Sequence, residues 1–126
     1  MSTRCQVIVT DGYGELWFYR HSDGYPEGVK ESLGLFLQWV KEGKIRDNVE
    51  QASGWLILIG QTEYGTHSTP NTKDGYGGWK CGAYEPSVPE QHGDIDFLYT
   101  VDLTKKTVVF QKVGYNTLGE KEPFLE

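Results

Sequence analysis

The chain has no run of the roughly 20 apolar residues that a membrane-spanning helix requires, and no basic-then-apolar segment ahead of its first strand. The expectation is a soluble, cytoplasmic protein. Cysteine is nearly absent. Cys5 and Cys81 lie far apart, and neither has a second ligand at metal-binding spacing, so both read as reduced, structural thiols rather than a disulfide frame or a metal centre. No Ser-centred elbow, phosphate-binding loop or dinucleotide fingerprint occurs, which leaves nucleophilic catalysis without support. Basic charge is also short. Twelve Lys and Arg stand against 18 Asp and Glu, a net charge of -6, which disfavours nonspecific nucleic-acid binding. It leaves room for a local basic pocket, or for an acidic face that docks on a basic protein surface.

Aromatic residues and glycine are plentiful, at 13% of the chain and 16 residues. A chain of 126 residues argues for a single domain over 1–126, able to bury roughly two-thirds of its unfolded surface without a disulfide or metal. Residues 4–10 form a β-branched strand, Asp11-Gly12-Tyr13-Gly14 a hairpin turn, and Glu15 to His21 the return. Alternation sets Leu16, Phe18 and Arg20 on one face, and Trp17, Tyr19 and His21 on the other. A helix over about 26–42 carries the stripe Val29, Leu33, Phe36, Leu37 and Val40, with Pro26 in the first turn and Gly43 just past the end. Gly34 within it suggests close packing against a neighbour. Asp47 to Glu50 reads as a capping box that opens a second helix with Asp47 as N-cap, extending through Gly54 to about residue 61.

Residues 65–78 read as a long polar loop, Trp79 to Tyr84 as a strand, and residues 95–113 as a hairpin turning at Thr104-Lys105-Lys106. Residues from about 114 to 126 read as a peripheral tail. The expected fold is α+β: an N-terminal hairpin, two helices and a three-stranded C-terminal meander. Together these make an antiparallel sheet of about five strands with the helices on one face. The aromatic second strand suggests a homo-oligomer.

The densest chemistry lies in Arg20-His21-Ser22-Asp23-Gly24-Tyr25-Pro26, at a strand end that opens a helix. Arg20 is one of three arginines, and on the face of Phe18 it needs a partner. That partner is an internal carboxylate (Asp23, Asp94 or Asp96) or the phosphate or carboxylate of a ligand. The aromatics Trp17, Tyr19, Tyr25, Tyr76, Trp79 and Tyr84 are candidates to ring a pocket beside it. The candidate ligand-binding set is Arg20, His21, Asp23, Tyr25, Tyr76 and Trp79. A separate reading joins His21 and Asp23 to His92, Asp94 and Asp96 as the ligands of a divalent metal in a hydrolase. The spacing matches no defined metalloenzyme signature.

Tyr19 to Pro26, Trp-Leu-Ile-Leu-Ile-Gly at 55–60 and His-Gly-Asp-Ile-Asp-Phe-Leu-Tyr at 92–99 resemble a family of small bacteriophage and prophage proteins. The similarity runs from residue 4 to about 112. It brings no activity, cofactor or catalytic residue with it. It implies a setting, in which small phage proteins inhibit or sequester host components. The expectation is therefore a non-enzymatic binding protein directed at a host defence component. Its target is a protein such as a CRISPR effector, or a nucleotide signal.

Overall fold

Residues 2–61, 63 and 82–126 are described by the structure, a computed structural model. The β-branched start of the chain pairs with the aromatic run that follows. Strand β1 (Cys5–Thr10) and strand β2 (Glu15–Arg20) form an antiparallel hairpin with Cys5 opposite Arg20 and Thr10 opposite Glu15. Asp11 holds the turn, its Oδ1 accepting from the amides of Tyr13 (2.9 Å) and Gly14 (3.0 Å).

Helix α1 (Pro26–Lys41) begins and ends as its sequence dictates, with Pro in the first turn, Glu27 at the positive end and Lys41 at the negative end. The five residues of its apolar stripe are all buried. Gly34 makes no close approach, since a Cβ placed there meets nothing within 4 Å. Helix α2 (Val49–Gln61) continues through Gly54. Its cap is Asn48 rather than Asp47, with Asn48 Oδ1 accepting from the amides of Glu50 and Gln51 at 3.1 Å each. A second cap comes from the β1–β2 turn, where Asp11 Oδ2 accepts from the Val49 amide at 3.0 Å. One carboxylate thus shapes the hairpin turn and satisfies an orphan donor at the start of a helix. Local sequence patterns cannot show such a cap, because its two ends lie 38 residues apart.

The remaining strands are β3 (Glu85–Ser87), β4 (Phe97–Asp102), β5 (Thr107–Gly114), β6 (Thr117–Leu118) and β7 (Glu122–Leu125). They complete a seven-stranded sheet in the order β3-β2-β1-β4-β5-β6, with β7 also paired to β5. The fold is α+β with two helices, as expected, but the sheet is mixed and larger than the five antiparallel strands predicted. The difference arises at β1. Short β3, which carries Pro86, takes the outer edge of β2, a position that tolerates a proline. Strand β4 then adds to the free edge of β1, after a long connection that includes both helices. It therefore runs parallel to β1, with Cys5 beside Phe97 and Val7 beside Tyr99. Of the strand expected over Trp79 to Tyr84, residues 79–81 lie outside the described residues and 82–84 are not in a strand. The expected tail supplies β6 and β7 instead, and Phe124 packs against Tyr99 and Phe110 with ring centroids 5.6 and 5.9 Å apart.

Helices α1 and α2 cover one sheet face, where Val7, Val9, Phe18, Tyr99 and Val101 meet the helical stripes. Cys5 is buried in this core, and burial pushes its thiol up to about 12. The opposite sheet face carries a smaller cluster of Tyr19, Ile95 and Leu98. Buried Gln6 holds the strand-free segment there, donating to the Glu90 carbonyl (3.0 Å) and accepting from the His92 amide (2.8 Å).

The amide of Val49, with those of Tyr13 and Gly14, holds the Asp11 carboxyl below its usual value. A carboxyl depressed on folding stabilises the fold above its unfolded pKa of about 4 and stops doing so as pH falls through its folded pKa. Asp11→Ala is therefore expected to lower Tm at pH 7. The gap from the parent chain should narrow progressively below about pH 4. A gap unchanged between pH 7 and pH 3 in thermal melts would show that the charge is not what matters.

Candidate functional site

The Arg20-to-Pro26 motif forms the corner between β2 and α1. Arg20 is the largest fully buried side chain among the described residues, only 1% exposed. Its Nε donates to the Ser22 carbonyl at 2.7 Å. Its two terminal nitrogens grip both oxygens of Glu63, at 3.0 and 2.7 Å, and one also reaches the Gly28 carbonyl at 3.4 Å. The Tyr84 ring lies under the guanidinium, 5.0 Å from its carbon to the ring centroid. The Tyr84 hydroxyl meets Ser32 Oγ at 2.5 Å. The expected internal partners Asp23, Asp94 and Asp96 are not the ones used. The partner is Glu63, just beyond α2.

The rest of the motif shapes this corner. Asp23 adopts φ 55, a left-handed conformation that Asp tolerates. Gly24 lies so close to β1 that a Cβ would stand 2.8 Å from Cys5 Cβ, and a Cβ on Gly28 would collide with the Asp23 carbonyl. The Tyr99 hydroxyl donates to the Gly24 carbonyl at 2.7 Å. Tyr25 is the N-cap residue of α1 and its hydroxyl donates to Asp23 Oδ1 at 3.3 Å. The Asp23 charge, then this hydrogen bond, raises the Tyr25 phenol above its ordinary value.

Alternation along β2 sends the neighbouring groups to the other sheet face. Tyr19 is edge-on to His21 at 4.7 Å and stacked on His92 at 4.6 Å. Its hydroxyl donates to Asp94 Oδ2 at 2.6 Å, and Arg4 Nε lies 3.6 Å from the same oxygen. Burial, then the bond to Asp94, raises the Tyr19 phenol. His21 Nε2 meets Glu85 Oε1 at 2.8 Å. The fold thus brings His21, His92 and Asp94 around one tyrosine and leaves Asp23 with Tyr25. Strand β4 starts only at Phe97, so Asp94 and Asp96 precede it and no strand pairing sets them on a common face. Among the described residues, no group of three or more His, Cys, Asp or Glu is placed to hold a metal ion. Of the aromatics proposed to ring Arg20, Tyr84 lies beside it, while Trp17 and Tyr19 pack on the far face. Tyr76 and Trp79 lie outside the described residues.

An open groove of about 520 Å³ is lined by α1, α2 and Glu63. One end is aromatic, with Trp39 and Trp55 edge to face at 6.2 Å. Leu35 and Leu58 line the middle, and Glu27 and Glu31 the far end. Glu63 also borders that end, but its charge is balanced by Arg20. Neither Glu27 nor Glu31 is matched to a cation among the described residues, and no described basic side chain lines the groove. Leu35, Trp55 and Leu58 stand 37, 44 and 56% exposed, an apolar patch beside carboxylates. The buried stripes of the two helices give no sign of this face. The signal was available in Leu35 and Trp39, two large apolar residues off the stripe of α1. No family model, curated protein or solved structure matches the chain.

Because Leu58 is more than half exposed, Leu58→Glu is expected to change folding stability by no more than about 0.5 kcal/mol in urea denaturation. A loss of about 2 kcal/mol or more, typical of a core truncation, would mean that this face is covered in the folded chain.

Proposed function

We propose that the protein acts by binding rather than by catalysis, and that it grips a partner protein in the groove between α1 and α2. The observation that carries this reading is the exposed Leu35, Trp55 and Leu58 beside Glu27 and Glu31, which no cation among the described residues matches. Exposed aromatic and aliphatic anchors beside fixed charge are the usual make-up of a protein-binding surface. A net charge of -6 favours encounter with a basic partner. The resemblance to phage proteins supplies the setting, in which the partner is a host component and binding inhibits or sequesters it.

A nucleotide signal held by Arg20 fits this geometry less well. Such a ligand has to enter a site that is 1% exposed and displace Glu63 from two hydrogen bonds. A metal-dependent hydrolase built on His21, Asp23, His92, Asp94 and Asp96 has Asp23 held apart, bonded to Tyr25.

The test is affinity capture from bacterial lysate, comparing the parent chain with Leu58→Glu and measuring bound proteins by mass spectrometry. The expected result is a partner enriched on the parent and reduced at least tenfold on the variant. Equal capture by both chains would overturn the reading, as would a rise in melting temperature with cyclic nucleotides that Arg20→Met abolishes.

A further inference from the structure

The groove has a direction as well as a composition, and this identifies its occupant more closely. Along α1, Glu27, Glu31, Leu35 and Trp39 follow at intervals of four residues, so they form one ridge inclined by about 26° to the helix axis. Trp55 and Leu58 on α2, and Glu63 just beyond it, line the facing wall. The two helices run in opposite directions, with Trp39 near the end of α1 meeting Trp55 at the midpoint of α2, and Gly28 at the start of α1 joined through Arg20 to Glu63 past the end of α2. An occupant that fills this channel lies along the helices, in the position of a third helix of a bundle. From Glu27 to Trp39 the ridge is about 18 Å long, the length of about 12 helical residues.

We infer that the groove takes a basic amphipathic helix of about three turns from the partner, apolar in its first two turns and rich in Lys or Arg in its last. The inference rests on the binding reading above. Apolar residues of the occupant fall against Trp39, Trp55, Leu35 and Leu58, and cationic ones against Glu27 and Glu31. Helix dipoles set the orientation. Lysine and arginine are best placed at a helix C-terminus. An occupant whose basic C-terminal turn faces Glu27 runs antiparallel to α1 and parallel to α2, so the dipoles of the two walls offset and the occupant's own dipole decides. Long Lys and Arg stems extend along the apolar wall while their charges reach the two carboxylates.

The test is a display selection. A library of random 14-residue peptides is selected on the intact protein, and counter-selected on Leu58→Glu. The expected winners carry apolar residues at helical spacing in their first half and Lys or Arg in their second. The synthetic consensus peptide should lose at least tenfold in affinity to Glu27→Lys/Glu31→Lys. Reversing the order of its residues should weaken binding at least fivefold. Winners with a two-residue period, without basic enrichment, or with equal affinity for Leu58→Glu would overturn the inference, as would a selection with no enrichment. If lysate capture still depends on Leu58 when the selection gives one of these results, the groove remains the binding surface and only the basic helix is lost.

Discussion

A guanidinium buried to 1% exposure must find charge and hydrogen-bond partners inside the protein, and the way Arg20 finds them organises the fold. It projects from the end of β2 and touches several later parts of the chain, the Tyr84 ring among them. Ser22 belongs to the corner, Gly28 to the first turn of α1, and Glu63 to the segment just past α2. One side chain thereby fixes the start of one helix relative to the end of the other. Leaving either charge without its partner is costly, of the order of 3–5 kcal/mol for a fully buried pair. Glu63 keeps a quarter of its side chain exposed, so the cost at that end is smaller.

This arrangement links the corner to the groove. Gly28 and Glu63 both border its acidic end, and both are bonded to Arg20. The separation of the helices at that end therefore depends on the same guanidinium. Asp11 contributes at the opposite end of α2 by joining its first turn to the β1–β2 hairpin. A rigid channel between two helices follows from two polar ties, one at each end of α2, over a continuous apolar core.

The elements with local signals were legible in the sequence. The alternation of Phe18 and Arg20 against Trp17 and Tyr19, the stripe of α1, Pro26 in its first turn and the passage of α2 through Gly54 all appear in the structure. What was not legible depends on pairs distant in sequence. Arg20 and Glu63 are 43 residues apart, Asp11 and Val49 are 38 apart, and the parallel pairing of β1 with β4 spans most of the chain. The Arg20-to-Pro26 motif looked functional because it concentrates charge and rings at a strand end. The structure assigns Arg20, Gly24 and Gly28 to building a tight corner. The groove has only a weak sequence signal, in Leu35 and Trp39 off the α1 stripe, because the exposure of Trp55 and Leu58 depends on how the two helices pack.

The central claim is that Arg20 and Glu63 act as one unit that sets the corner and the helix pair. A double-mutant cycle measures this directly, using Arg20→Met, Glu63→Gln and the combined variant in urea denaturation. The account gives a coupling of about 2 kcal/mol or more, with the double variant more stable than the sum of the single losses implies. Single losses that add to within about 0.5 kcal/mol would contradict it.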